Sequence, residues 1–393
     1  MTPAEQLPPR LNLRQLRNQA KDLRKGHKAG DPDAIGRIGR SHPRFHGSSQ
    51  AQVAAAELAL TDAQLVIARE LGFDSWPRLK AHIDSLSSPA SSLHELVTGN
   101  DEEQARAEIG KLGGRCEVDE KGQVRTVSLT GPRFTDAVME HLRGLTRLER
   151  LYLVKTQVGD NGLVHLKGLT ALERFYVSGK RVTDAGLEHL KGLINLERLY
   201  LGKTHITDDG LARLKGLTNL RELYLNRTQV SGHGLKHLKE LTRLENLGLD
   251  RTKVSDADLA HLKGLTKLEK LYLNRTEAGD AGLERIKGLT NLKELSLRST
   301  QVSDAGLEHL KGLTDLQTLD IGLTQVTDAG LAHLKGLTSL ETLRLSLSRL
   351  TDAGLGCLSG LVGLRRLDLR FTQVTATGAN KLKAALPDCR IYC

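Results

Sequence analysis

Leucines follow the pattern LxxLxL through most of the chain, and the pattern returns every 24 residues from Leu148 to Leu364. Each LxxLxL run alternates apolar and polar positions, which predicts a short β-strand with one buried face. The segment after each strand, such as residues 183–193, has leucines at helical spacing behind a capping Thr and an acid in the first turn. Units of this length predict a stack in which neighbouring units bury each other's strands and helices.

The chain before the repeats has a different pattern. Residues 1–86 are predicted to form a basic helical domain, in which Asp31-Pro32 begins one helix, Thr61 caps another and Pro77 lies at the start of a further one. Residues 87–92, SSPASS, are small and polar and predict a linker.

The fold predicted for the remainder is an α/β solenoid, with parallel strands on its concave face and helices on its convex face, preceded by the small all-α domain. Residues 93–123 are expected to form a helix and a hairpin turning at Glu120-Lys121-Gly122, which together cap the start of the stack. Residues 124–393 form the solenoid, and a C-terminal cap near 386–393 is expected because the period is lost after Leu386.

These motifs carry a resemblance to a known family. The run LxxLxLxxTxV, followed by a short helix, resembles the leucine-rich repeat family over roughly residues 124–391. The T-D-x-G-L helix start is similar to that of bacterial multi-repeat proteins and of F-box substrate receptors. Residues 60–83 resemble an N-terminal helical segment of some bacterial ankyrin-repeat proteins. The resemblance implies a leucine-rich-repeat solenoid that acts as a protein-binding scaffold.

Stacking turns equivalent positions into straight rows, and two strand positions face away from the buried leucines. The fifth position holds five of the six tyrosines, and arginines occupy the third position and the loop after the strand. Tyrosine and arginine dominate binding hot spots, which favours a partner protein on this face over rows that are only copied by duplication. The predicted partner-binding residues are Tyr152, Tyr176, Tyr200, Tyr224, Tyr272, Arg150, Arg174, Arg198, Arg227, Arg251 and Arg275.

Charge leaves other functions open. The chain has 57 Lys and Arg against 47 Asp and Glu, a net charge of +10, and residues 1–46 are especially basic. Basic helices together with interleaved tyrosine and arginine suggest nucleic-acid binding as the less favoured alternative. A ubiquitin-ligase-type substrate adaptor is a third hypothesis, by analogy with F-box leucine-rich-repeat proteins, but the first 92 residues contain no F-box-like segment.

The rows also bear on chemistry. Seven histidines recur in the helical segment, and we interpret them as copied surface positions because packed helices lie too far apart to share a metal. No phosphate loop, nucleophile elbow or zinc motif occurs, so we expect a non-enzymatic protein without cofactors. Four sparse cysteines and the lack of a membrane-spanning run predict a cytoplasmic protein with no membrane partner.

The pattern falters in one place. Gly232, Glu240, Gly248 and Asp258 each replace the residue that the repeat would place there. The replacements are either drift or the mark of a groove, since Gly248 is expected to open space between Tyr224 and Tyr272.

Overall fold

The computed structural model describes residues 13–71, 73, 75, 76, 79 and 102–393. Backbone contacts divide the chain into two compact units, Met1–Gly99 and Asn100–Cys393. The linker predicted at 87–92 lies outside the described residues, as does residue 77, where a further helix was expected to begin.

The first unit is helical. One buried cluster, which includes Ala20, Ile38 and Val66, joins its helices. The buried His27 ring nitrogen lies 2.8 Å from the Val53 carbonyl oxygen, which ties the first helix to the third. The helices are α1 (Leu13–Lys28), α2 (Pro32–Ser41), α3 (Gln50–Ala55) and α4 (Leu60–Glu70), with a 3-10 turn at Pro43–Phe45.

The predicted start of α2 is confirmed, because the Asp31 carboxylate accepts a hydrogen bond from the Asp33 amide at 3.0 Å. The prediction that Thr61 caps a helix is wrong, since Thr61 is the second residue of α4. The helix is capped at Ala59, whose side chain has no acceptor, and the Asp62 carboxylate in the first turn accepts the Ala59 amide at 2.8 Å, as the acid of a capping box does.

In residues 102–393, thirteen strands form one sheet and follow one another in sequence order. The first two strands form the expected antiparallel hairpin, and every later pairing is parallel. The strands are β1 (Arg115–Val118), β2 (Val124–Thr130), β3 (Arg150–Val154), β4 (Arg174–Val177), β5 (Arg198–Tyr200), β6 (Glu222–Tyr224), β7 (Asn246–Gly248), β8 (Lys270–Tyr272), β9 (Glu294–Ser296), β10 (Thr318–Asp320), β11 (Thr342–Arg344), β12 (Arg366–Asp368) and β13 (Arg390–Tyr392).

The last strand corrects the prediction that the period is lost after Leu386. Ile391 pairs with Leu367 and Tyr392 pairs with Asp368, so β13 continues the sheet in register. Asp388 and Cys393 stand where the motif has its first and last leucines, which hides the strand from a search for LxxLxL. Tyr392 therefore occupies the fifth strand position, as the other tyrosines do.

The segments between parallel strands are shorter and tighter than the helices that the leucine spacing predicted. Many consist of one α-helical turn that passes into a 3-10 turn, because only about ten residues separate the strand loop from the next unit's turn. A longer helix at 102–111 precedes β1, and the α-helical pieces between the strands are Asp160–Leu163, Asp184–Leu187, Asp208–Arg213, Gly232–Leu235, Asp280–Ile286, Asp304–Leu307 and Ala376–Ala385. The 3-10 pieces are Asp136–Leu142, Val164–Leu166, Glu188–Leu190, Lys236–Leu238, Ala257–Leu262, Glu308–Leu310, Gly330–Leu334 and Leu355–Leu358.

An aspartate bridge joins successive units on this side of the sheet. The Asp208 carboxylate accepts the amide of Ser231 in the next unit at 2.7 Å and its hydroxyl at 2.6 Å. A β-carbon at Gly234 would lie 2.5 Å from the same carboxylate, so the bridge leaves room only for glycine there. The Asp and Gly of the motif T-D-x-G-L therefore form a contact between units, and the motif also marks the start of a helix. The full bridge recurs at Asp160, Asp184, Asp280, Asp304, Asp328 and Asp352.

Two of the four irregular residues prove to be an exchange that keeps a carboxylate for these donors, although its hydrogen bonds now lie within one unit. Gly232 stands where the bridging aspartate belongs, and Asp258 stands where the next unit should have glycine. The Asp258 carboxylate accepts the Ser255 amide at 2.8 Å and its hydroxyl at 2.6 Å. It fills the space beside Gly232 that a side chain at that position would need. The carboxylate is thus kept in place but supplied from the opposite unit.

This exchange predicts strong coupling between positions 232 and 258. Asp258→Gly leaves the Ser255 donors without an acceptor and should lower the free energy of unfolding by about 1–3 kcal/mol. Gly232→Asp forces two carboxylates into one space and should lower it by about 1–3 kcal/mol. The double variant rebuilds the ordinary bridge and should recover the wild-type value in chemical denaturation.

The matched control is Gly264→Glu. A β-carbon added at Gly264 would have no neighbour within 4 Å, and Glu240 occupies the equivalent position one unit earlier. This change should alter the free energy of unfolding by less than about 0.5 kcal/mol. Simple addition of the two single effects in the double variant would refute the exchange.

Candidate functional site

The predicted tyrosine alignment is confirmed by the strand register. Tyr152 pairs with Tyr176, Tyr176 with Tyr200, and Tyr200 with Tyr224. We call these four residues and Tyr272 the tyrosine row. Ring centroids lie 4.8 Å apart between Tyr152 and Tyr176, 3.9 Å between Tyr176 and Tyr200, and 4.4 Å between Tyr200 and Tyr224. All five side chains are half-buried, so stacking fixes their rings while their outer faces stay accessible.

The row crosses the irregular position at Gly248 without a gap. The Tyr224 and Tyr272 centroids lie 6.2 Å apart, although a whole strand separates the two residues. A β-carbon at Gly248 would lie 2.5 Å from Tyr224 Cδ1, so Tyr224 leans into the space that the glycine leaves. The expectation that Gly248 opens a groove between Tyr224 and Tyr272 is therefore wrong, because the first of these rings fills that space.

Glu222 polarises the centre of the tyrosine row. The Tyr200 hydroxyl donates to Glu222 Oε2 at 2.6 Å, and Arg198 Nη1 lies 3.3 Å from Glu222 Oε1. Burial, followed by the bond to Glu222, raises the pKa of Tyr200 well above its ordinary value. Burial and the charge of Glu294 likewise raise the pKa of Tyr272. Both phenols therefore stay neutral hydrogen-bond donors far into the alkaline range.

A second row follows at the eighth position of each unit, two residues beyond the LxxLxL motif. Its members share a left-handed backbone, with φ between 54° and 63°, which costs an L-residue other than glycine roughly 1–2 kcal/mol. The stack imposes this turn, since the Arg227 amide donates to the Asp250 carbonyl of the next unit at 2.7 Å. We call these residues the edge row: Lys155, Lys203, Arg227, Arg251, Arg275, Ser299, Leu323, Leu347 and Phe371.

The position between the motif and the edge row holds a ladder of side-chain oxygens. Asn226 Oδ1 accepts the Asp250 amide at 3.0 Å, and Asp250 Oδ1 accepts the Asn274 amide at 2.9 Å. Asn274 Oδ1 then accepts the Arg298 amide at 2.8 Å. Burial raises the pKa of Asp250. This ladder was not predicted from the sequence, although Asn226, Asp250 and Asn274 recur at the 24-residue spacing.

The tyrosine row, the ladder and the edge row enclose a groove of about 650 Å³. It brings together six of the eleven predicted site residues, and the other five do not line it. The six are Tyr176, Tyr200, Tyr224, Arg227, Arg251 and Arg275. Tyr152 and Tyr272 extend the stack at its two ends, and Arg150, Arg174 and Arg198 lie beside it at the third strand position. Lys203 and Arg298 add two further cations that were not among the residues predicted from the sequence.

The cations of the sheet fall into two groups. Arg198, Arg221 and Lys270 lie within 4.0 Å of glutamates on neighbouring units. In residues 102–393, by contrast, the five edge-row cations have no carboxylate oxygen within that distance. The guanidinium groups of Arg227 and Arg275 lower the pKa of Arg251 by like-charge repulsion. The edge row thus presents positive charges that form no direct ion pair, although the Asp250 carboxylate of the adjacent ladder attracts Arg227 and Arg251 from a greater distance.

The helical part of the chain within Met1–Gly99 carries its own basic cluster. Lys21, Arg24, Lys25 and Lys28 of α1 surround a depression of about 390 Å³ together with Leu60. Arg24 Nε donates to the Leu58 carbonyl at 3.2 Å, which holds one of these cations against the segment that precedes α4. Across the described residues, no group of three or more His, Cys, Asp or Glu side chains is arranged to hold a metal ion.

Stacked units with in-register parallel strands define a solenoid. Family models described as leucine-rich repeat match residues 314–374, and residues 192–215 and 288–311. The matched segments are leucine-rich repeats, and the in-register strands of residues 102–393 form a leucine-rich-repeat solenoid. No helix within the described residues has the length and apolar character needed to cross a membrane.

Solved structures of bacterial leucine-rich repeat proteins resemble this chain. An internalin from Listeria monocytogenes is 23% identical with a TM-score of 0.50, covering 75% of this chain and 94% of that one. Internalin C2 from the same organism is 27% identical with a TM-score of 0.36, covering 58% and 82%. A leucine-rich repeat protein from Leptospira interrogans is 16% identical with a TM-score of 0.35, covering 72% and 94%. A comparison with curated proteins finds no match.

The raised phenol pKa values yield a prediction about alkaline titration. Tyr200 and Tyr272 should remain protonated above pH 10, where free tyrosine ionises with a pKa of about 10. Their folded-state pKa values lie above the unfolded value, so their contribution to stability is complete below about pH 10 and is lost as the pH rises towards the folded values. NMR titration of ¹³Cζ-labelled tyrosine measures both groups.

Glu222→Gln should lower the pKa of Tyr200, because it removes the negative charge next to the phenol, although burial still keeps that pKa raised. The control is Glu245→Gln, since Glu245 bonds Arg221 at 2.6 Å and does not contact the tyrosine row. A Tyr200 resonance that titrates identically in the wild type and in Glu222→Gln would contradict this electrostatic explanation.

Proposed function

We propose that this protein is a non-enzymatic scaffold that binds a protein partner on the concave face, through the tyrosine row and the adjacent arginines. The leucine-rich repeat fold generally supports protein-interaction scaffolds. The observation that carries the proposal is the stack of half-buried tyrosine rings along one wall of a cationic groove. Tyrosine and arginine are the residue types in which binding energy is concentrated.

The stacking supports the proposal energetically. Binding orders side chains, and each flexible side chain that becomes fixed costs about 0.5–1.5 kcal/mol. The rings of Tyr176, Tyr200 and Tyr224 are already held by one another, so a partner would meet a pre-formed surface. Ten strands at about 4.8 Å give a strip of roughly 45 Å, which can accommodate a standard interface of about 800 Å² per partner.

The partner-binding residues that we propose are those predicted from the sequence, together with the two further groove cations Lys203 and Arg298. The proposal includes no catalytic residue or cofactor. The four cysteines are free, which agrees with a reducing compartment, and we place the scaffold in the cytoplasm.

The test compares two triple variants as baits in quantitative affinity purification. Tyr176→Ala/Tyr200→Ala/Tyr224→Ala removes the centre of the tyrosine row. Because hot-spot truncations cost about 2 kcal/mol or more each, the affinity for the partner should fall by at least about 30-fold. Circular dichroism and thermal unfolding establish that the variant keeps its fold.

The control variant is Lys239→Ala/Lys263→Ala/Lys335→Ala, which changes three exposed side chains on the opposite side of the sheet. It should retain the partner at the wild-type level. Arg150→Ala/Arg174→Ala is a milder change to the concave face, and it should weaken binding without disturbing the ring stack. Equal recovery of the partner by all folded variants would refute binding through this face.

A second candidate function is nucleic-acid binding, which the basic cluster of α1 favours. Lys21, Arg24, Lys25 and Lys28 lie on one side of that helix and together line one depression. Such a cluster is suited to phosphate contacts that release counterions.

This candidate predicts that a fluorescent single-stranded oligonucleotide binds the full chain at low salt and is released steeply as the salt concentration rises. Lys21→Ala/Lys25→Ala/Lys28→Ala removes about three phosphate contacts and should make the fall of the binding constant with salt concentration less steep. Lys239→Ala/Lys263→Ala/Lys335→Ala should leave that salt dependence unchanged. Absence of binding at low salt would exclude the candidate.

A further inference from the structure

The edge row divides along the solenoid into two chemical halves. Its first five members are exposed lysines and arginines, from Lys155 to Arg275. Its last three members are exposed apolar residues, namely Leu323 and Leu347, each 42% exposed, and Phe371, 78% exposed. Ser299 lies between the two halves, where the tyrosine row has already ended.

The left-handed turn does not depend on the side chains of the edge row. The Leu323 amide donates to Ser346 and the Leu347 amide donates to Arg370, so backbone bonds between units hold the left-handed turn. Glycine adopts positive φ without a steric penalty, and Gly179, with a φ of 146°, stands at this position in one unit. Long or bulky residues are nevertheless present in eight units, and their side chains are exposed to solvent. Local strain of this kind concentrates where side chains serve binding.

Each half lacks the partner that its chemistry requires. Within residues 102–393, the cationic half has no carboxylate within 4.0 Å, and the like charges of Arg227, Arg251 and Arg275 repel one another. The apolar half exposes carbon surface that contributes more to stability when it is covered. An occupant with anionic groups at one end and apolar groups at the other would satisfy both halves.

We propose that the edge row is a docking strip for an extended polypeptide segment of a partner, with acidic residues against Lys155–Arg275 and apolar residues against Leu323, Leu347 and Phe371. This inference rests on the proposed scaffold function and specifies the chemistry of the partner. Nine unit spacings of about 4.8 Å give a strip of about 43 Å, which an extended segment of about 13 residues spans. The apolar half favours a polypeptide over a nucleic acid, because a charged phosphate backbone would not bind Leu323, Leu347 and Phe371 favourably.

The probe is a fluorescent synthetic peptide of about 14 residues, matched to that span, with alternating glutamates in one half and leucine and phenylalanine in the other. Peptides with lysine in place of glutamate, or with serine in place of the apolar residues, are its controls, and single-stranded oligothymidine of similar length is the nucleic-acid control. In the Lys21→Ala/Lys25→Ala/Lys28→Ala background, which removes the basic cluster of α1, the full chain should bind the acidic–apolar peptide at least tenfold more tightly than any of these three. Equal or tighter binding of oligothymidine in that background would overturn the proposal in favour of nucleic acid at the edge row.

Variants then test each half. Arg227→Glu/Arg251→Glu should weaken binding of the acidic–apolar peptide at least tenfold and reduce its salt dependence. Lys239→Glu/Lys263→Glu makes the same charge change on the opposite side of the sheet and should leave binding within twofold. Leu347→Ser/Phe371→Ser should weaken binding of the acidic–apolar peptide and leave binding of the serine-substituted peptide unchanged.

A substitution that relieves the left-handed backbone strain can separate the effect of these side chains on peptide binding from their effect on stability. Arg251→Asn and Leu347→Asn place a residue that tolerates the left-handed region at each position. Both variants should unfold at the same or a higher temperature than the wild type while binding the acidic–apolar peptide more weakly. Lower unfolding temperatures with unchanged peptide affinity would show that the side chains serve the fold, and would overturn the inference.

The docking strip and the scaffold function can fail separately. If the peptide does not bind but partner capture still depends on Tyr176, Tyr200 and Tyr224, the edge-row proposal is wrong and the concave-face proposal stands. If the peptide binds and partner capture is unaffected by those tyrosines, the edge row is supported and the tyrosine row is not the docking face.

Discussion

In-register parallel pairing of one strand per unit is the constraint on which the rest of this structure depends. Leu151 pairs with Phe175 and Leu199 pairs with Leu223, so each buried residue meets its counterpart one unit away along the sheet. The same register turns every exposed position into a row at strand spacing. The ring stack, the ladder of side-chain oxygens and the charged edge are all consequences of this single pairing rule.

Much of the fold could be predicted from the sequence, because a constant repeat length is enough to place equivalent residues of neighbouring units side by side. The position of Tyr200 next to Tyr176 follows from the 24-residue repeat, and so does the burial of Leu199. The strand at Arg390–Tyr392 could not be found in this way, because its flanking leucines are replaced. A leucine motif detects only those units whose core residues are ordinary, whereas the backbone register tolerates exceptions.

The candidate site was less predictable than the fold, because its geometry depends on contacts between units. Nothing in the local sequence of Tyr224 indicates that its ring leans over Gly248. The left-handed backbone of Arg251 was equally hidden, since residues with this conformation are usually glycine or asparagine. The pairing of Glu222 with Tyr200 joins different strand positions of neighbouring units, so it requires a structure.

The exchange between Gly232 and Asp258 limits how such an array can change its length. Repeat arrays gain and lose whole units by recombination, and most junctions here are interchangeable because one unit gives the aspartate and the next gives the glycine. At this junction the roles are reversed, so a crossover there would bring together either two carboxylates or none. The two units therefore fit only each other, and an array that separated them would lose stability at this junction.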